Sequence, residues 1–238
     1  VESRGLGDVY KRQAITHMIE LGYNEINANC VYEEGWQMVH ATVLYDQLKK
    51  LADYTLEHNL DMENDYYISL FEENFFHPKQ PDDLENWCGG NGVMLAVDPD
   101  GIIYPCLRYM ESSLAGQQEP YSIGDVNAGI CQCECHKCRV ECLKKIDRRT
   151  QSADECFYCP IGEGCSWCTA YNYQVFGTPD ARATYICNMH KARALGNIYF
   201  WNNYYKKHGI DKHMENHVPE KWALDIITQA EWDMLNNL

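Results

Sequence analysis

The chain has 238 residues, 45% hydrophobic and 12% aromatic, with a formal net charge of −15. That composition excludes a disordered chain, and the length suffices for one large domain or two modest ones, each with a core. The acidic balance argues against nucleic-acid binding, no apolar run approaches the roughly 20 residues of a membrane span, and no charged-then-apolar leader opens the chain; the expectation is a cytoplasmic protein with no nucleic-acid or membrane partner.

Residues 1–13, VESRGLGDVYKRQ, do not fit the rest of the chain. The segment DVYKRQ resembles the translation of a transposon-end sequencing adapter, so 1–13 is set apart and native sequence is expected to begin near Ala14, with a parent protein extending upstream. Residues 14–21 carry apolar side chains at helical spacing, and Gly22 suits the position that ends such a helix. Residues 24–32 read as a strand, Trp36 to about His58 as a long amphipathic helix, and 66–71 as a second strand. This α-β-α-β order predicts an α/β fold with a parallel sheet, the C-terminal portion of a (β/α) barrel over 14–76. Function in such barrels gathers at the C-terminal strand ends, here near Asn29–Glu34 and Glu72–Asn74.

A polar linker spans 77–87. Residues 93–105 predict a β-hairpin around DPDG, with Pro at the second turn position and Gly at the last. Cys88 and Cys106 flank it, and the turn brings them to its open end. Residues 107–155 read as irregular. A helix is expected over 187–208, ended by Gly209, and the tail 209–238 carries apolar residues that dock back as a short helix.

There are thirteen cysteines. An odd count without a secretory signal favours metal ligation over disulfides. The densest run, ECFYCPIGEGCSWC (155–168), spells C-x2-C-x5-C-x2-C. Zinc ribbons usually separate their two pairs by some 15–20 residues; zinc fits here if Cys156, Cys159, Cys165 and Cys168 pair with other cysteines. Iron–sulfur clusters tolerate close spacing because each iron takes one ligand, and Cys159-Pro160 is a step typical of ferredoxin-type runs. Phe157, Ile161 and Trp167 would shield such a cluster.

The full set is C-x12-G-x4-C from Cys88 through Gly101 to Cys106, then the run, then Cys187. This pattern resembles the SPASM domain, the C-terminal extension of many radical S-adenosylmethionine (SAM) enzymes that modify peptides. One departure is plain: two residues, not three, separate Cys165 from Cys168. The resemblance implies a small irregular α+β SPASM domain over 88–208 with two auxiliary 4Fe–4S clusters. Cys88, Cys106 and Cys168 would hold the first, and Cys156, Cys159, Cys165 and Cys187 the second. The first lacks a fourth protein ligand; either a thiol from 131–142 completes it, Cys138 and Cys142 being candidates, or an open iron binds a substrate thiolate. The SAM-cleaving C-x3-C-x2-C motif is absent from 14–87, so SAM and a third 4Fe–4S cluster are expected only in a longer parent, and the fragment alone is expected to be inactive.

Leu107 stands where sulfatase-maturing relatives place an aspartate base, so that activity is set aside. Stretches such as CPIGEGCSWCTAYNYQVFGTP look most like maturases of cysteine-rich, CXXX-repeat ribosomal peptides. The implied partners are a ribosomal precursor peptide and a reductant such as ferredoxin or flavodoxin. The alternative is a non-catalytic zinc or iron–sulfur module for peptide capture or electron transfer. Cys30, ending a predicted barrel strand, reads as a core residue. Glu33 and Glu34 read as solvated, and Cys131, Cys133, Cys135, Cys138 and Cys142 with His136 as spare thiols in an insertion or a third metal site. Tyr171, Tyr173 and Phe176 read as core aromatics.

Overall fold

A computed structural model of the chain describes residues 11–85, 88–130 and 134–238, apart from the side chains of 134–138. In chain order its elements are α1 (Lys11–Glu20), β1 (Glu25–Ile26), α2 (Met38–Glu57), β2 (Tyr67–Ile68), β3 (Ala96–Val97), β4 (Ile102–Tyr104), α3 (Glu111–Leu114), β5 (Gly124–Asp125), β6 (Gly129–Ile130), α4 (Glu134–Lys144), α5 (Arg148–Gln151), α6 (Asp154–Phe157), α7 (Thr169–Phe176), α8 (Cys187–His208), α9 (Glu220–Ala223) and α10 (Gln229–Leu235). The architecture is mixed helix and sheet, and it divides into two units. Among the described residues no helix is long and apolar enough to cross a membrane.

The first unit comprises the chain up to Pro78, Pro160–Cys165 and Tyr185–Leu238. Its opening elements keep the expected α-β-α-β order, and β1 and β2 pair in parallel, Glu25 with Tyr67 and Ile26 with Ile68. Both strands are far shorter than the runs 24–32 and 66–71 suggested. The ladder stops because the Ser69 hydroxyl takes over the pairing: the Ala28 N–H donates to Ser69 Oγ at 2.8 Å, and that hydroxyl donates to the Ala28 carbonyl at 3.2 Å. Lys11–Gln13, set apart with the opening segment, form the first turn of α1. Gly22, at φ 93°, ends that helix; its N–H donates to Ile19 O and that of Tyr23 to Met18 O, a Schellman stop.

The core of this unit is the packing of α2 on α8. Ala41, Leu44, Leu48, Leu51 and Ala52 form the expected apolar stripe, each at most 1% exposed. Ala192, Leu195 and Ile198 of α8 are buried to the same degree. A Cβ at Gly196 would stand 3.0 Å from Leu48, so glycine lets the two helices approach closely. This fit decides where α8 belongs. It was expected in the 88–208 domain, but its small-residue face matches the α2 stripe, and it packs there. Asn197 of α8 is fully buried and satisfies the backbone just beyond β2: it accepts from Glu72 N–H at 2.7 Å and donates to Leu70 O at 2.8 Å. The tail forms two helices, not one, because Thr228 caps a fresh start by accepting the Glu231 N–H. Glu231 then ties α10 to α2 through the Tyr45 hydroxyl and the Lys49 ammonium.

The second unit comprises Lys79–Cys159 and Ser166–Thr184. The expected hairpin is there, with Ala96 opposite Tyr104 and Val97 opposite Ile103. The Gly101 N–H closes the DPDG turn on Asp98 O at 3.0 Å. Gly101 sits at φ 83°, and a Cβ there would come within 2.8 Å of Val126, so both turn and packing demand glycine. The region 107–155 is not irregular as expected. β5 and β6, after α3, extend the hairpin into an antiparallel meander ordered β3-β4-β5-β6, and α4, α5 and α6 follow. Apart from α4 these pieces are two to four residues long, too short for a hydrophobic period to register. Ile103, Tyr109, Ile123, Leu143 and Ala170 form the core, with Tyr121 and Tyr173 stacked against it. The part of the 77–87 linker up to Glu85 is held in place: Arg148, 2% exposed, donates to the carbonyls of Gln80, Asp83 and Phe157 at 2.7–2.8 Å.

Candidate functional site

Three of the predicted ligands, Cys88, Cys106 and Cys168, come together in the second unit. Each precedes a helical turn. Cys88 caps the 3₁₀ turn Gly89–Asn91, Cys106 the 3₁₀ turn Leu107–Tyr109, and Cys168 the helix α7. A cap residue's side chain sits where the first unpaired N–H groups point, and those groups favour an anion. The Tyr171 N–H donates to Cys168 Sγ at 3.4 Å, and the Arg108 and Tyr109 N–H groups act on Cys106 in the same sense.

Gly90 marks the centre. A Cβ at that position would lie 3.5 Å from both Cys88 Sγ and Cys106 Sγ, and 3.3 Å from Thr169 Oγ1. The two sulfurs are therefore no further apart than twice that distance. Cys88 Sγ also shares a hydrogen bond with Thr169 Oγ1 at 3.2 Å. Cys168 belongs to the same set: Cys106 and Cys88 each interact electrostatically with it. Glycine at position 90 leaves open the space between these groups that any side chain would enter.

Burial pushes the Cys106 and Cys168 thiols up, and it outweighs the N–H groups and, for Cys168, the Arg108 guanidinium that pull the other way. Both are therefore neutral thiols at neutral pH in the metal-free protein. A bound metal reverses that balance, because it deprotonates a coordinating thiol. The phenol of Tyr109 completes the setting. Tyr109 is fully buried, its hydroxyl has no hydrogen-bond partner among the described residues, and burial above all drives its ionisation far up. Thr169 acts on it without reaching hydrogen-bond geometry.

Among the described residues no trio of His, Cys, Asp or Glu meets the tight spacing of a single-ion site. A four-iron cluster spreads its thiolates over separate irons and fits a wider set. Three partly buried thiols, two of them beside Gly90, are a donor set such a cluster takes.

The second predicted set is divided. Cys156 lies in α6 and Cys159 just beyond it, both partly buried in the second unit. Cys165 and Cys187 belong to the first unit, Cys165 partly buried and Cys187 exposed at the start of α8. The segment between the cysteine pairs is pinned within the first unit. Phe76 N–H donates to Glu163 O at 3.1 Å, and Glu163 N–H to His77 O at 2.9 Å. Gly164, at φ 72°, leaves room for the Phe75 ring, which a Cβ would strike.

Cys131 and Cys133, and the side chains of Cys135, His136 and Cys138, lie outside the described residues. Cys142 is exposed on α4. Cys30 is neither a strand end nor a core residue: β1 stops at Ile26, and Cys30 is only partly buried in the loop beyond, where it interacts with Arg193. Glu33 in the same loop is partly buried and Glu34 exposed. Tyr171 is buried and Tyr173 partly so, but Phe176 is 48% exposed, because it lies in the last turn of α7 before Gly177 ends the helix. Sequence reasoning missed Gly90, Tyr109 and Thr169. The available signal was proximity: Tyr109 lies one turn after Cys106, and Thr169 directly follows Cys168.

No known family's model matches the chain, and no curated protein matches it significantly.

Proposed function

We propose that this chain is the C-terminal portion of a radical SAM peptide maturase, a partial (β/α) barrel joined to a SPASM-type domain that carries auxiliary 4Fe–4S clusters. The observation that carries the reading is the gathering of Cys88 and Cys106 beside Gly90 with Cys168 interacting with both, three candidate ligands drawn from positions up to 80 residues apart in sequence. The parallel β1–α2–β2 order supports the barrel part, and the Gly101 turn supports the hairpin that carries the first two ligands.

In this reading Cys88, Cys106 and Cys168 hold the first cluster, and Cys156, Cys159, Cys165 and Cys187 the second. The clusters supply one-electron transfer and a site for a peptide thiolate, during thioether-type modification of a cysteine-rich ribosomal peptide. The chain's own residues bury the thiols, aim N–H groups at them and keep Gly90 small. SAM cleavage, its 4Fe–4S cluster and delivery of electrons by a ferredoxin or flavodoxin belong to a longer parent.

Anaerobic reconstitution tests this. The expected product is brown, with roughly eight irons and matching sulfide per chain for two four-iron clusters. Cys106→Ala is expected to remove about half of both. A colourless protein with stoichiometric zinc overturns the reading and leaves a non-catalytic metal-binding module.

A further inference from the structure

The buried Tyr109 hydroxyl has no hydrogen-bond partner among the described residues. A buried phenol ordinarily finds one, because an unpaired one loses its hydrogen bonds to water and regains none. The groups that act on it are Thr169 and the thiols of Cys88, Cys106 and Cys168. The ring is held firmly. The Tyr109 N–H donates to Cys106 O at 3.1 Å, Tyr109 O accepts from Tyr121 N–H at 3.1 Å, and the rings of Tyr121 and Tyr173 pack at 5.1 and 5.9 Å. Its neighbour Thr169 is also fully buried and is already engaged with Cys88 Sγ. The phenol is thus fixed in place, buried, and without an acceptor among the described residues.

We propose that Tyr109 donates its O–H to a sulfur of the metal group held by Cys88, Cys106 and Cys168, and thereby sets that group's reduction potential. This rests on the cluster reading above. The physical argument is one of charge. A reduced cluster carries one more negative charge than an oxidised one, so an O–H directed at its sulfur stabilises the reduced form more and raises the potential. Fully buried, the dipole acts without competition from water. The hydroxyl has the role of a tuning donor; it passes no proton to substrate.

The test compares the full reconstituted chain with Tyr109→Phe, which keeps the ring and removes only the oxygen. Iron content is measured first. Equal iron in the two proteins is expected, together with one redox transition displaced to lower potential and the other unmoved. At a fixed potential near the midpoint, the reduced-to-oxidised ratio of the displaced cluster is expected to fall roughly five-fold, the scale of one hydrogen bond. Electron–nuclear double resonance of the reduced wild-type protein supplies a measurement that needs no variant: an exchangeable proton coupling at that cluster, lost in deuterated buffer. Equal iron with both transitions and the proton coupling unchanged overturns the proposal while leaving the cluster assignment standing. If Cys106→Ala costs the wild-type protein no iron, the assignment itself fails, and this proposal falls with it.

Discussion

The two units differ in how one set of buried polar groups in each is arranged. In the first, α8 supplies its own partners. Asn197 pairs with the backbone at Leu70 and Glu72, Asn202 pairs with both backbone groups of Met214, and the buried Asp61 carboxylate receives Lys207, His208 and Asn64. In the second, the groups around Gly90 face one another: the Cys106 and Cys168 thiols, which burial keeps from ionising alone, Cys88 beside them, and a phenol with no hydrogen-bond partner among the described residues. Those α8 groups are paired within the protein, although Trp201 Nε1 on the same helix is buried without a partner among the described residues. The second is a set of donors and candidate ligands whose balance the proposed cluster would shift. Two long helices can close a core unaided, whereas elements of two to four residues bury little surface each and stand to gain more from a bound ligand.

That contrast can be broken by experiment. The largest effect belongs to the helix pair: Leu48→Ala opens a cavity opposite Gly196 and is expected to cost about 2–5 kcal/mol in denaturant unfolding, with or without iron. Iron-dependent loss would show that the first unit also relies on the metal. Chelation is expected to act selectively. Stripping a group present at a hundredfold excess over its Kd removes about 2.7 kcal/mol from the unit that holds it. Hydrogen exchange should therefore speed up in α7 and at Leu107–Tyr109 while α2, and α8 beyond its first turn, keep their protection. Uniform loss would erase the distinction. Gly101→Ala is smaller, about 1–3 kcal/mol, since it strains a positive-φ turn and presses on Val126. It is also expected to weaken iron retention, because the turn sets Cys88 and Cys106 together.

The smallest effect at neutral pH concerns the acid limb of the first unit. Burial alone raises the Asp61 carboxyl, but hydrogen bonds from Lys207, Asn64 and His208 outweigh it and hold the carboxyl below its ordinary value. A folded-state value below the unfolded one of about 3.9 contributes stability that is complete above the unfolded value and lost as pH falls through the folded one. Acid titration of unfolding should therefore steepen in that window, and Asp61→Asn should flatten it.

Much of the candidate site was legible because its signals are local. Glycine at 101 follows from a turn that only positive φ allows, and cysteines before short helices announce themselves by spacing. The helices over 38–57 and 187–208 follow from long apolar periods. What stayed hidden was short or distant. β5 and β6 have two residues each, below the reach of any periodicity. The exposure of Phe176 depended on where α7 ends, and Tyr109 reads as one tyrosine among seventeen until its hydroxyl is seen without a partner.

The sequence by itself determined the α-β-α-β order, the DPDG hairpin, the long helices and which cysteines are candidate ligands, since each rests on propensity, turn chemistry or spacing within a few dozen residues. Tertiary structure alone decided that α8 packs on α2, and that Cys88 and Cys106 close on Gly90 with Cys168 interacting with both, while the other four candidate ligands are split between units. Those outcomes depend on shape fit between surfaces far apart in the chain: a glycine opposite Leu48 in one unit, and a glycine between two sulfurs in the other.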